Sequence, residues 1–214
     1  MALMPVVNIA RLLIREGDGD GAFEVLEQLY RAAQARGSTV IRSHHIDMAP
    51  LIRTDENHRK ICTELWVAVL TDGARALARA GRWTEAAKTM AAHRGIGNRL
   101  LDGRQIKIMS LTEQGLSDQA RVMIDSSALA EPWENTVAAL LRICCQPDTA
   151  SLSLDQLSDA ASQALNLITE SADPTTATFR VRVGLTALDF AANQPVHCIS
   201  GLQAALLATA LSDA

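Results

Sequence analysis

The stretch RALARAGRWTEAAKTMAAH, residues 75–93, decides the fold class of this chain. Within it, Gly81 follows Leu77 by four residues and precedes Ala86 by five, and Met90 comes four residues later. This spacing predicts two helices joined by a tight turn, because glycine accepts the left-handed backbone that ends many helices. We expect the small Ala86 to let the second helix approach the first, with Leu77 and Met90 packed between them.

The same pattern of a leucine, a glycine, an alanine and a further apolar residue occurs at two other places in the chain. Its members there are Leu13, Gly17, Ala22 and Leu26, and then Leu111, Gly115, Ala120 and Ile124. The two glycines Gly81 and Gly115 stand 34 residues apart, whereas Gly17 and Gly81 are separated by 64. Self-similarity at such a period is typical of helical repeat proteins.

On these residues the chain resembles the tetratricopeptide repeat, a helix–turn–helix unit of 34 residues. Trp83 stands where that family often has an aromatic residue, and Ala74 occupies a small position between helices. The resemblance covers residues 8–127 and implies an all-α fold, a TPR-like α-solenoid of antiparallel helix hairpins that presents a concave binding surface. Residues 128–214 show no repeat, and we expect degenerate or capping helices there, closing a single domain over 1–214.

Helical periodicity also continues outside the repeat pattern. A first apolar stripe is formed by Val6, Ile9, Leu12 and Leu13. Further helices are predicted near 59–80, 84–94, 99–114, 117–127, 133–145, 154–170, 176–192 and 196–212. Between them lies a long polar connection over residues 37–58. No segment alternates with a period of two for long, so the sequence predicts no β-sheet.

Composition narrows the functional classes. The chain has 214 residues, 48% of them hydrophobic but only 3% aromatic, as expected for helices packed through aliphatic side chains. The net charge of −4 offers no basic field for nucleic acid. No apolar run is long enough for a membrane span, and the N-terminus lacks the pattern of a signal peptide. The four cysteines include the adjacent pair Cys144 and Cys145, which cannot easily bridge each other, and form no CxxC motif, so we expect reduced thiols and a cytoplasmic protein.

One segment has the spacing of a calcium-binding loop. Residues 16–27 place acidic side chains at the first, third, fifth and last positions of a twelve-residue loop, with glycine at the sixth. The ligands would include Asp18, Asp20 and Glu27, but Glu16 replaces the usual first aspartate. The alternative is that Asp20 caps the second helix of the first hairpin. Capping is the preferred interpretation, and no cofactor or metal is expected.

Two other groups are candidates for ligand binding. Arg94, Arg99 and Arg104 lie near glycines in HRGIGNRLLDGRQ, where a helix start could hold an anion. His44 and His45, followed by His58, lie in the 37–58 connection. Adjacent histidines on an extended strand point to opposite sides, so both rarely bind one ion. No nucleophile with a partner base is visible, and no catalytic residue is predicted.

These observations favour a non-enzymatic scaffold or accessory protein that binds a protein or peptide partner in a bacterial cytosolic pathway. The chain also resembles helical proteins of actinobacteria. An effector-sensing module of a regulatory system is one alternative, and a small biosynthetic enzyme using the histidines of the 37–58 connection is another. A homodimer is a further expectation, formed through leucines of the last helix, which are Leu202, Leu206, Leu207 and Leu211.

Overall fold

A computed structural model describes residues 3–146, 152–170, 174–192, 196 and 198–212. The described chain is mostly helical with one two-stranded sheet, which confirms the prediction of a helical protein. It divides into two compact units, the first comprising Met1–Gly97 with Asp102–Ser110 and the second Asn98–Leu101 with Leu111–Ala214. The single domain over 1–214 and the solenoid both stay predictions.

The first unit begins with α1 (Met4–Glu16) and α2 (Gly19–Gln34), followed by strands β1 (Ser38–Ile41) and β2 (His44–Asp47). Helix α3 (Asp55–Ala68) continues through a π-helical turn (Val69–Gly73) into α4 (Ala74–Arg79), and α5 (Trp83–Ala92) follows. Most of α6 (Asp102–Glu113) also belongs to this unit. Helix α2 packs against α1, α3 and α4, so it forms the centre of the unit.

The three glycines of the repeat pattern all lie in turns between helices. Their φ angles are +91° at Gly17 and +74° at Gly81 and Gly115. In each turn the residue after the glycine donates its N–H to the carbonyl of the pattern's leucine, at 2.9 Å. The same bond in three turns identifies one shared helix ending, the Schellman motif. The alanines of the pattern, Ala22, Ala86 and Ala120, are fully buried.

The 37–58 connection contains a β-hairpin, so the prediction of no sheet was wrong. Ser38–Ile41 pairs antiparallel with His44–Asp47. The turn residues Arg42 and Ser43 have φ of +47° and +68°, the positive values that a two-residue hairpin turn needs. Four-residue strands are too short to produce a sustained alternation. The hairpin forms because it packs on α2 and buries Ile41.

The second unit contains α7 (Ser117–Asp125), α8 (Pro132–Cys144), α9 (Leu154–Thr169), α10 (Ala177–Ala191) and α11 (Ile199–Ser212). A 3₁₀ turn, Pro174–Thr176, precedes α10. Helix α9 packs against α8, α10 and α11 around a core rich in alanine and leucine. Leu202 and Leu206 are buried in this core, which removes two of the four leucines expected at a dimer interface. Leu207 is exposed, and the side chain of Leu211 lies outside the described residues.

Candidate functional site

An apolar groove lies between α1 and the β-hairpin of the first unit. Its volume is about 420 Å³, within the range of pockets that bind small molecules or side chains. Helix α1 and the hairpin contribute its apolar walls, and three polar residues lie among them. The lining residues are Val6, Ile9, Leu12 and Leu13 of α1, Ile41 and Ile46 of the hairpin, and the polar Glu16, Arg42 and His44. We call this feature the apolar groove.

The hairpin register explains which side chains line the groove. Ile41 pairs directly with His44, and paired residues point to the same face of a sheet. Ile46 lies two residues after His44 and therefore shares that face. Val40 and His45 form the next pair and point to the other face, where Val40 is 58% exposed. The structure thus separates the two histidines: His44 lines the groove and His45 does not.

Helix α1 supplies the opposite wall because its apolar residues cover more than one side. Val7, Ala10 and Leu13 are buried in the core of the unit. Val6 and Ile9 are partly buried against the same core, whereas Leu12 remains 52% exposed. Scattered exposed leucines are ordinary, but one that lines a concave apolar surface is typical of a binding site. The sequence predicted this stripe as the apolar face of a helix, without assigning a binding role to it.

The polar residues of the apolar groove do not form a catalytic arrangement. Nδ1 of His44 lies 2.9 Å from the backbone carbonyl of Arg42, so that nitrogen is engaged within the turn. Within the described part of the chain, Glu16 forms no side-chain hydrogen bond or ion pair. The groove therefore offers apolar contact area with one charged residue of each sign, Glu16 and Arg42.

The third histidine of this region has a structural role. Nε2 of His58 lies 3.0 Å from the carbonyl oxygen of Ala33, and Nδ1 lies 3.2 Å from a guanidinium nitrogen of Arg36. Arg36 also pairs with Asp55, and this guanidinium lowers the pKa of that carboxyl group. These contacts attach the start of α3 to the end of α2. The structure does not bring His44, His45 and His58 together as one site.

The three arginines of the predicted anion site differ in their contacts. Arg99 donates two hydrogen bonds, at 3.0 and 3.2 Å, to the carboxylate of Glu134, which has no exposed surface. Backbone N–H groups of Ala130 and Glu131 donate to the same carboxylate, and together with Arg99 they lower its pKa. Arg104 donates to the carbonyl of Gly97 at 2.9 Å. Arg94 is exposed, at the end of α5, with φ of +57°.

The acidic residues of the calcium-like segment have separate partners. Asp18, rather than Asp20, caps α2, accepting the N–H of Gly21 at 2.8 Å. Asp20 pairs with Arg82, and Glu27 pairs with Arg31 at 2.7 Å. Because the chain is helical from Gly19 onward, Glu27 lies about 13 Å beyond Asp18 along the axis. No twelve-residue loop is formed. Among the described residues, no group of histidine, cysteine and acidic side chains is placed to hold a metal ion.

Three of the four cysteines have a thiol pKa that burial raises. All four are free thiols. Burial raises the pKa of Cys144 to about 11, with a further contribution from the adjacent Cys145. Burial also raises the pKa of Cys62 and of Cys145. At neutral pH these three side chains are therefore protonated thiols rather than thiolates, and a thiol is a poor nucleophile.

Comparisons with known proteins found no match: no family model matches the chain, and neither a curated protein nor a solved structure matches it. None of the described helices combines the length and apolar character needed to cross a bilayer. Arguments about function therefore depend on the site itself.

Proposed function

We propose that this chain is a non-enzymatic scaffold that binds a protein or peptide partner, and that the apolar groove is its docking surface. The observation that carries the proposal is the concave wall of α1, where Leu12 remains half exposed beside a groove lined by Ile9, Ile41 and Ile46. Exposed apolar area of this kind is characteristic of surfaces that a partner covers.

The expected occupant is a short peptide segment with two or three apolar anchor side chains. A volume of about 420 Å³ accommodates such side chains but not a folded domain. Glu16 and Arg42 at the groove supply one charge of each sign. A segment that presents apolar anchors between a basic and an acidic residue is therefore complementary to the groove.

The helix hairpins support a wider proposal, that the first 127 residues form a TPR-like α-solenoid completed by capping helices. The support comes from the shared backbone bonding of the turns at Gly17, Gly81 and Gly115. The same proposal includes a bacterial, actinobacterial-like origin and a cytosolic location.

The test uses a displayed library of short random peptides selected on the intact protein. We expect enriched peptides to carry apolar anchors and to bind the unmodified protein. Leu12→Asp should weaken their binding about tenfold or more, because the carboxylate would be desolvated against apolar side chains. The matched control is Val122→Asp, since Val122 is 67% exposed on α7 and does not line the groove.

Enriched peptides that bind the Leu12→Asp and Val122→Asp variants equally well would contradict the proposal. Circular dichroism and thermal unfolding of each variant establish that the chain remains folded. A selection that enriches no sequence above the input library would also count against a peptide-binding role.

A further inference from the structure

A second groove of different chemistry lies between α2 and α5 in the first unit. Its volume is about 380 Å³. One wall is formed by Phe23 and Tyr30 of α2. The other is formed by Lys88 of α5 and by His93, which directly follows α5, and Val69 of the π-helical turn also lines the groove. We call it the polar groove. It shares no lining residue with the apolar groove.

Among the residues that the structure describes, the side chains of Tyr30, Lys88 and His93 each keep a hydrogen-bond donor without a protein acceptor. The Tyr30 hydroxyl accepts from the Gln34 amide at 3.0 Å, which leaves its proton available. The His93 ring packs edge-on against Tyr30, with centroids 5.6 Å apart. In the described portion of the chain, no hydrogen bond from the side chains of Lys88 or His93 to protein is found. Donors that converge on one cavity are suited to an anionic group.

The charged side chains that line the polar groove have a positive net charge. Its single carboxylate, Glu27, is paired with Arg31 at 2.7 Å, so these two charges offset each other. The Lys88 charge also acts on Glu85, but that carboxylate is hydrogen-bonded to Arg82. Among the described residues, Lys88 forms no ion pair, so it adds a positive charge to the groove in a chain whose net charge is −4.

The groove also has an apolar part, formed by Phe23, Val69 and Ala92, beside the uncharged polar side chains of Gln34 and Thr89. The ring of Phe23 is partly buried against two core clusters of the unit, and Val69 is 2% exposed. Ala92 adds a small side chain at the edge. An inorganic anion would leave this surface uncovered, whereas an organic acid would cover it with its carbon skeleton.

We propose that the polar groove binds a small organic monocarboxylate, with its acid group held by Lys88, Tyr30 and His93 and its apolar body against Phe23 and Val69. A site of this kind is what an effector-sensing module would require. The proposal does not depend on peptide docking in the apolar groove.

The test titrates the intact protein with benzoate, benzamide and inorganic phosphate by calorimetry, with NMR detection of the His93 ring. We expect benzoate to bind with a dissociation constant of about 1 mM or lower, a level that a fragment of its size can reach. Benzamide lacks the charge and phosphate lacks the ring, so each should bind about tenfold more weakly.

Variants locate the site. Lys88→Met keeps an unbranched side chain, one heavy atom shorter, but removes its charge, and should weaken benzoate binding about tenfold. Tyr30→Phe removes one neutral hydrogen bond and should weaken it about threefold. Lys60→Met is the matched control, because Lys60 is exposed on α3 and does not line the groove.

Equal binding of benzoate and benzamide would overturn the proposal, as would equal binding of benzoate by the Lys88→Met and Lys60→Met variants. Phosphate binding as tight as benzoate binding would instead identify an anion site without a role for the apolar surface, and would also contradict it. If thermal unfolding shows that Lys88→Met is unfolded, the milder Tyr30→Phe variant decides.

Discussion

The apolar groove and the polar groove use the two helices of one hairpin, yet they differ in chemistry. Helix α1 lines the first with aliphatic side chains, and α2 lines the second with Phe23, Tyr30 and a glutamate–arginine pair. The apolar groove is completed by the β-hairpin, whereas the polar groove is completed by α5. The two surfaces should therefore select different ligands and respond to different substitutions.

The largest expected effect is that a substitution in one groove weakens binding at that groove and leaves binding at the other unchanged. Leu12→Asp should reduce the affinity of selected peptides about tenfold or more and leave benzoate binding unchanged. Lys88→Met should weaken benzoate binding about tenfold and leave peptide binding unchanged, because Lys88 lines the polar groove and not the apolar groove. Parallel titrations of both variants with both ligands measure this. Loss of both peptide binding and benzoate binding in either variant would show that the two grooves are not independent.

A smaller effect is expected at the turn that positions α5. Gly81 has φ of +74°, and a Cβ there would meet no atom within 4 Å, so alanine adds backbone strain without a clash. Gly81→Ala should lower the free energy of unfolding by about 1 kcal/mol. Its urea midpoint measures the loss, and benzoate binding should weaken more than peptide binding.

The control for this substitution is Gly97→Ala. Gly97 also has open space around its missing Cβ but does not have a positive φ. Its replacement should leave the free energy of unfolding unchanged or slightly higher. Equal losses in the Gly81→Ala and Gly97→Ala variants would contradict the account of the glycine turns.

The smallest effect is expected at the tip of the β-hairpin, which belongs to the apolar groove alone. Ser43 has φ of +68°, a conformation that glycine adopts more easily. Ser43→Gly should raise the free energy of unfolding by about 0.5 kcal/mol and leave both affinities intact. Ser43→Val should act in the opposite direction, because a β-branched residue is strained at positive φ. Thermal unfolding of the pair gives the sign, and a stabilised Ser43→Val variant would refute this explanation.

The sequence predicted the helices of both grooves because their signals are local. Apolar residues recur at helical spacing, and Gly17 and Gly81 end helices in the conformation that favours glycine. Equivalent helix endings at Arg36 and Arg94 carry no such signal: their φ angles are also positive, at +51° and +57°, without glycine. The sequence therefore predicted where these two helices end, by the start of the 37–58 connection and the end of the 84–94 helix, but not the left-handed backbone at Arg36 and Arg94.

The grooves themselves could not be predicted in the same way. The β-hairpin has strands of four residues and a turn, Arg42–Ser43, that lacks the usual asparagine or glycine. Its position depends on packing against α2, which is a tertiary contact. Likewise, Tyr30 and His93 are far apart in sequence and meet only when α2 and α5 are placed. Of the residues proposed from sequence for binding, His44 alone lines the apolar groove.

The most direct test of the central claim is hydrogen–deuterium exchange of the intact protein with and without a selected peptide. We predict slower exchange in α1 and in residues 38–47, and unchanged exchange in α5. Protection confined to α5 or to the second unit, with α1 and the hairpin unchanged, would contradict it.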